Sequence, residues 1–352
     1  MNTSFLMTVT AKQQGILLYD FLDAQFPFFI KENWAASLVD ESLKINNRAT
    51  LGNPALNAGD ALAFSIEQYV EPAVNTRWKV YWQNTDLLIA HKPANLPVQR
   101  TTRNIYNTLT ALVRRDVNLP QAQPLHRLDL ETAGFVLFAK NTASTKFWQP
   151  KLKDILQKKI YRAIVWGKPT WQSQSFTCRL ATKPGSAIRC QMHCTPMGMP
   201  SVNSTEDSIH QNNKLGKIST TRFSVIRSFT ANDNDFSIVE CELLTGRKHQ
   251  IRAQLAYLEH PIVGDKIYAH QGAYYLKRLN DSIQEEDDDM LQSAHHLLVA
   301  CSVQLSIDSR VATTSSVATQ LQHVSHDSQQ ILKIQLDDED YPAAWHKFIA
   351  RK

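Results

Sequence analysis

No apolar run in this chain is long enough to span a bilayer, because a spanning helix needs about 20 consecutive apolar residues. Met1 to Lys12 holds no basic segment followed by a long apolar one, so no secretory signal is expected. Cysteines are few and odd in number, five in 352 residues: Cys178, Cys190, Cys194, Cys241 and Cys301. That disfavours a disulfide scaffold, and a reducing, cytoplasmic setting is the expectation. Internal repeats are absent, and so is a strict βαβ rhythm. The interspersed helix and strand patterns therefore favour an α+β fold over a doubly wound one.

What is present fits an ordinary globular protein. Apolar residues make up 43% and charged residues 20%, and the length suffices for two or three domains with a sizeable core. The net charge of +5 hides an asymmetry. Residues 1–74 hold four basic and eight acidic residues, so the remainder carries +9. The larger part is the better partner for a polyanion. Charge alone does not separate that from an ordinary solvated surface.

The patterning predicts a small N-terminal unit over 14–74. Leu17, Leu18, Phe21, Leu22 and Phe26 share a helical face, and a second short helix is expected near Trp34–Val39. Leu43–Ile45 and Ala61–Phe64 read as strands, with turn signals at Asn46-Asn47 and Gly59-Asp60. After a linker near Glu71-Pro72, a hairpin is expected over Trp78–His91. Helices follow at 104–115 and 144–156, and strands at 135–138 and 161–166. Residues 183–216, rich in Pro, Gly, Ser and Asn, read as an insertion or long loop. Strands return at 223–226 and 236–244, and a helix is expected over 248–258, ended by His260-Pro261. The acidic run Glu285–Asp289 reads as a solvated loop, and late strands are expected at 297–305 and 331–336.

Two clusters stand out. In His126-Arg127-Leu128-Asp129-Leu130-Glu131-Thr132-Ala133-Gly134, charged residues precede the apolar run Phe135–Phe138. Asp129 beside a core strand is either paired structurally or held there for chemistry. In Thr245-Gly246-Arg247-Lys248-His249-Gln250-Ile251-Arg252, cations crowd a helix start, where the dipole opposes them. That points to a nearby anion. A basic end on an amphipathic helix explains the same pattern, and short motifs match by chance often.

Taken together, the blocks resemble the RNA pseudouridine synthases of the large-subunit ribosomal branch. The resemblance rests on His126–Asp129 continuing through Thr132, Gly134 and Lys140, on Lys159–Gly167, and on Thr245–Arg252 followed by His260–Tyr268. A weaker match is His91–Val98. It implies an α+β catalytic domain over 75–352 with a mixed, mainly antiparallel central sheet, and an insertion at 183–216. Residues 1–74 are similar in outline to a small S4-type domain, here divergent because the segment is net acidic, whereas RNA binding ordinarily uses basic side chains.

The resemblance also implies roles. The target uridine must be flipped out of its RNA, and its carbon–nitrogen glycosidic bond broken and remade through carbon. Asp129 would be the nucleophile or charge stabiliser, Arg252 the cation holding it ionised, and Tyr161 the ring that stacks on the uracil and serves the proton transfer. Arg127, His126, Ile251, Arg247, His249 and Gln250 would contact the substrate, Arg127 filling the space the base vacates. No cofactor or metal is implied, and the partner would be a structured RNA: 23S ribosomal RNA first, a tRNA second. A monomer acting away from membranes is expected. Two departures, Ala133 where the family usually has Ser and no His at Ala300-Cys301, mark a divergent member.

Rival readings are a catalytically inactive RNA-binding or assembly protein, a glycoside hydrolase using Asp129 and Glu131 as its carboxylate pair, and a zinc knuckle at Cys190-Gln191-Met192-His193-Cys194. The last lacks a fourth ligand at a standard spacing, so thiols in a loop are expected there.

Overall fold

The computed structural model describes residues 3–25, 34, 43–50, 52–66, 71–101, 103–197, 216–231, 233–279, 282–308, 321–322 and 329–349. The chain divides into two compact units, 1–73 with 100–107, and 74–99 with 108–352.

In the smaller unit, strands β1 (Thr3–Thr8), β2 (Leu43–Ile45), β3 (Arg48–Ala49) and β4 (Ala61–Ile66) form an antiparallel sheet in the order β1-β4-β2-β3. Asn46 and Asn47 both take positive φ, 52° and 62°, which is what a two-residue β2–β3 hairpin demands and asparagine tolerates. Helix α1 (Leu18–Gln25) buries Leu18, Phe21 and Leu22 with Trp34, Leu43, Leu62 and Phe64. Leu17 departs from the expected face: it bridges to Ala55 ahead of the helix and stays exposed. Phe26 and most of the second expected helix, apart from Trp34, lie outside the described residues.

The larger unit is built on a twelve-stranded sheet. Its elements in chain order are β5 (Lys79–Gln83), β6 (Leu87–Lys92), α2 (Leu109–Asp116), β7 (Gln123–Pro124), β8 (Ala133–Ala139), α3 (Thr142–Trp148), α4 (Leu152–Ile155), β9 (Leu156–Trp166), β10 (Ser173–Thr182), β11 (Met192–Pro196), β12 (Lys217–Ala231) and β13 (Asn234–Leu243). Then come α5 (Gln250–Tyr257), α6 (Ala273–Leu279), α7 (Glu285–Leu291), β14 (Leu298–Asp308), β15 (Leu321–Gln322), β16 (Gln329–Gln335) and α8 (Ala343–Ile349). The main path runs β11-β10-β12-β13-β9-β14-β8-β6-β5, with β16 also beside β14. All pairs are antiparallel except β14 with β8. The expected mixed, mainly antiparallel α+β sheet is what forms.

Several expected bounds move, for local reasons. The helix placed at 104–115 begins only at Leu109, where the Thr108 hydroxyl accepts the Ala111 N–H as N-cap; residues 104–107 belong to the other unit. The helix placed at 144–156 is two short ones, since Leu156 already pairs with Leu305 as the start of β9. The acidic run is helix α7, not a loop, with Asp287 bonded to Lys277 at 2.6 Å. Within the segment read as an insertion, 192–196 is strand β11, while 198–215 lie outside the described residues.

Gly134 is the tightest point of the sheet. It takes φ +111°, and a Cβ there would overlap the Ala300 carbonyl oxygen and lie 2.6 Å from the Ala300 nitrogen. The β8–β14 parallel contact involves only Ala133 with Val299 and Gly134 with Ala300, so a methyl group would part the two strands. Gly134→Ala should therefore cost several kcal/mol, on the order of 3. Urea unfolding would check this, and an unchanged midpoint would mean that the strands part without cost.

Candidate active site

Asp129 lies in the loop between β7 and β8, anchored from both sides. The Thr132 N–H donates to the Asp129 carbonyl at 3.2 Å. The next carbonyl, Leu130, accepts from the Lys92 ammonium at 2.9 Å. Lys92 is fully buried and also donates to the carbonyls of Pro93 (3.0 Å) and Leu96 (2.8 Å). Three acceptors match the three N–H groups of an ammonium. Burial pushes Lys92 down to about 7, against the pull of Asp129 and Glu131. Lys92 was quoted in the His91–Val98 block but given no role there; its task is to pin the Asp129 loop to the end of β6.

Arg252 comes from α5, inside the buried side of that helix. Its Nη1 donates to Asp129 Oδ2 at 2.9 Å. Its Nε and Nη2 form a fork on Asp265, at 2.6 and 2.9 Å. Asp265 is wholly buried, whereas the Asp129 side chain retains 31% exposure. One guanidinium thus serves two carboxylates, and the one that faces solvent is Asp129. Burial would raise the Asp129 carboxyl; Arg252 foremost, with His249 and His296, holds it down to about 2. At neutral pH Arg252 carries this effect, since both histidines are then uncharged. Asp129 is therefore an ionised, partly open carboxylate. Asp265, although within the matched block His260–Tyr268, had no role assigned from sequence.

An apolar cluster lies close to the carboxylate, near enough for Asp129 to act on Tyr161. Tyr161 on β9 and Ile251 on α5 are buried in one cluster with Leu298 and Ala300, and Leu128 packs against it. Among the described residues nothing hydrogen-bonds the Tyr161 hydroxyl. Burial, then the negative Asp129, push the Tyr161 phenol up. The phenol is therefore protonated at neutral pH, able to donate its O–H.

The remaining expected contacts divide. Arg127, Arg247 and Lys248 are exposed, available to a polyanion. His249 takes a left-handed conformation, φ 53°, ahead of α5, which turns its Nε2 to 3.8 Å from Asp129 while Nδ1 meets the Tyr268 hydroxyl at 3.1 Å. Gln250, expected to contact the substrate, is buried and its amide is engaged within the chain. Its Oε1 accepts from the Thr245 hydroxyl and the Arg247 N–H, and its Nε2 donates to Thr220 O and Thr221 Oγ1. That fills the amide's capacity and clamps the turn to β12. His126 likewise faces inward, its Nε2 accepting the Leu137 N–H at 3.2 Å.

Glu131 is buried and does not pair with Asp129 as a hydrolase would require. Its Oε1 accepts from Arg278 at 2.8 Å and Lys266 at 3.2 Å, and its Oε2 from the His296 N–H at 3.2 Å. Burial raises its carboxyl, but these cations and histidines hold it well below the ordinary range, so it cannot serve as a general acid. The Cys190–Cys194 segment also differs from a knuckle. Strand alternation on β11 turns His193 outward and Cys194 into the core beside Cys178 and Leu180, while Cys190 lies 3.5 Å from the Tyr275 hydroxyl. The expected loop thiol Cys194 is thus a buried strand residue.

Three histidines near the loop are held neutral. Burial, then Lys159, lowers His126; burial, then Arg252, lowers His249 and His296; each falls to about 4. Between the ordinary histidine range and about 4, the unfolded chain binds protons that the folded chain refuses. Stability should therefore fall as pH drops through that window, by roughly 1.4 kcal/mol per pH unit for each histidine. Urea unfolding compared at about pH 7 and about pH 5 reads this directly; a flat profile would mean the three rings are charged in the fold.

An ionised aspartate on a pinned loop, a shared guanidinium and the buried cluster of Tyr161 and Ile251 lie together, and comparisons with known proteins show what the chain resembles. Residues 86–257 match the family described as RNA pseudouridylate synthase. The chain is 31% identical over 235 residues to ribosomal large subunit pseudouridine synthase D of Buchnera aphidicola, covering 65% of each chain. It is 26% identical over 254 residues to the mitochondrial tRNA pseudouridine(32) synthase of Saccharomyces cerevisiae, covering 72% of this chain and 50% of that one. The chain thus spans less than two thirds of either relative's length. The solved structure of human RNA pseudouridylate synthase domain containing 1 shares the fold with a TM-score of 0.50 at 17% identity, covering 80% of this chain and 98% of that one. The matched segment and the relatives place residues 86–257 in the RNA pseudouridylate synthase family.

Proposed function

We propose that this chain converts uridine to pseudouridine in a structured RNA, with Asp129 as the group that starts the reaction. The observation carrying the proposal is the 2.9 Å Arg252–Asp129 contact beside the apolar cluster of Tyr161 and Ile251. Uridine's N1–C1′ bond breaks, the freed base turns, a C5–C1′ bond forms, and the proton lost from C5 is balanced by one gained at N1. The group that initiates this must be anionic within an apolar site, and a guanidinium fixed by a second carboxylate supports that state. Such a cluster suits a base flipped out of its stack. Arg127, exposed on the same loop, would occupy the gap left in the RNA.

Ribosomal RNA of the large subunit is the leading substrate. The first relative's name supports it, while the yeast relative's name keeps tRNA as the second reading. The acidic unit at 1–74 is read as a divergent S4-like spacer, without a phosphate-binding role of its own. Pseudouridine mapping of ribosomal and transfer RNA, with and without the gene, tests the function and the substrate together. A site should vanish on deletion and return with wild type but not with Asp129→Asn. If no site vanishes, the proposal fails.

A further inference from the structure

The strand register brings a second charged locus together, away from Asp129. Across three neighbouring strands Lys158 pairs with Gln304 and Gln304 with Lys333. The next row is Ile160, Ser302 and Gln335, and beyond it Arg162 lies opposite Glu240. These residues line a small cleft with a cavity volume of about 140 Å³, with Cys301 also on its wall. Side chains alternate along β9, so Lys158, Ile160 and Arg162 occupy the sheet face opposite Tyr161.

The charges in this cleft are not balanced from within. Lys158 and Lys333 make no ion pair among the described residues. They stand two strand spacings apart, about 10 Å between backbones, with only the neutral Gln304 between them. Glu240 is the one carboxylate on the wall, and it lies 3.8 Å from Arg162 Nε. That Nε is buried and has no hydrogen-bond partner, while Arg162 Nη1 donates to the Tyr341 hydroxyl at 3.3 Å. Like charges on one sheet face repel, and an orphaned guanidinium N–H is costly. A bound anion would relieve both.

We propose that this cleft is a phosphate-binding site, held by Lys158, Arg162 and Lys333 with Gln304 as a neutral donor. A phosphate's several oxygens let it bridge cations that no single carboxylate of the chain reaches. At about 140 Å³ the cleft is smaller than a drug-sized pocket, about 300–1,000 Å³, and suits a group of the size of one phosphate. The phosphate comes either from an RNA backbone crossing this face or from a free phosphate-bearing metabolite.

Lysine acetylation followed by mass spectrometry tests the site on the full chain, with inorganic phosphate and a short oligouridine as probes. Phosphate should slow modification of Lys158 and Lys333 in wild type and equally in Asp129→Asn, so the readout is independent of the catalytic proposal. Protection by oligouridine at lower concentration than phosphate assigns the RNA backbone; protection by phosphate alone assigns a free metabolite. The double variant Lys158→Ala/Lys333→Ala should weaken phosphate binding at the cleft, read by calorimetry, by about tenfold. If neither probe protects these lysines, or the double variant binds phosphate as wild type does, the proposal is overturned.

Discussion

Asp129→Asn should lower the rate constant for pseudouridine formation by more than about a thousandfold, while the RNA dissociation constant moves by less than about threefold. Asparagine keeps the shape and leaves an oxygen for the Arg252 Nη1 that now contacts Oδ2 at 2.9 Å. It removes the negative charge that the site maintains. Arg252 still has its fork on Asp265, so no buried cation is stranded and the fold should persist. Single-turnover measurement with saturating enzyme separates the chemical step from binding. Turnover within about tenfold of wild type would sink the assignment of Asp129 as the initiating group. Because its carboxyl is held down to about 2, protonation of Asp129 should not set the acid limb of activity in ordinary buffers; the stability lost as the buried histidines charge should appear first.

The second large effect is expected away from the substrate. Asp265→Asn keeps the side chain's volume but removes the charge that fixes Arg252. A buried ion pair broken on one side leaves an uncompensated charge, and the expected loss of stability is about 3–5 kcal/mol. Asp265 also accepts the backbone N–H groups of Ile267 and Tyr268 at 2.9 and 3.1 Å, so the segment after it should loosen. Arg252 would then be free to swing its fork onto Asp129, and the turnover number should fall more than KM rises. Thermal unfolding reads the first effect and steady-state kinetics the second. A variant as stable as wild type would mean that Asp129 alone suffices to hold Arg252.

Much of this site was legible because its chemistry is written in short runs. Asp129, Arg252, Tyr161 and Ile251 stand in ordered blocks; Arg252 meets Asp129 at 2.9 Å, and Tyr161 and Ile251 share one buried cluster nearby. Gln250 and His126 show the limit of that reading. They lie in the same runs, but one side chain is consumed by β12 and the turn, and the other by the Leu137 N–H. Motif membership does not say which way a polar side chain points. Lys92, Lys266 and Asp265 carry no legible role in the sequence, and Glu131 reads there only as a rival carboxylate, because each acts through a partner outside its own run: Lys92 on Leu130, Lys266 and Arg278 on Glu131, Asp265 on Arg252.

The sequence by itself determined the class of fold, the apolar strands flanking each charged run, the asymmetry of charge and the candidate aspartate. The fold class and strands follow from local periodicity and turn chemistry, which act over a few residues; the charge asymmetry follows from composition, and the aspartate stands out only through the resemblance of its run. The tertiary structure alone decided which carboxylate stays open. Asp129, Glu131 and Asp265 are chemically similar, and all three are held ionised by cations. The fold leaves Asp129 facing solvent on a loop pinned by Lys92, and buries the other two among cations brought in from distant segments. Burial and the geometry of distant pairs are properties of the assembled sheet, so the difference between a buried carboxylate and an open one appears only when the chain is folded.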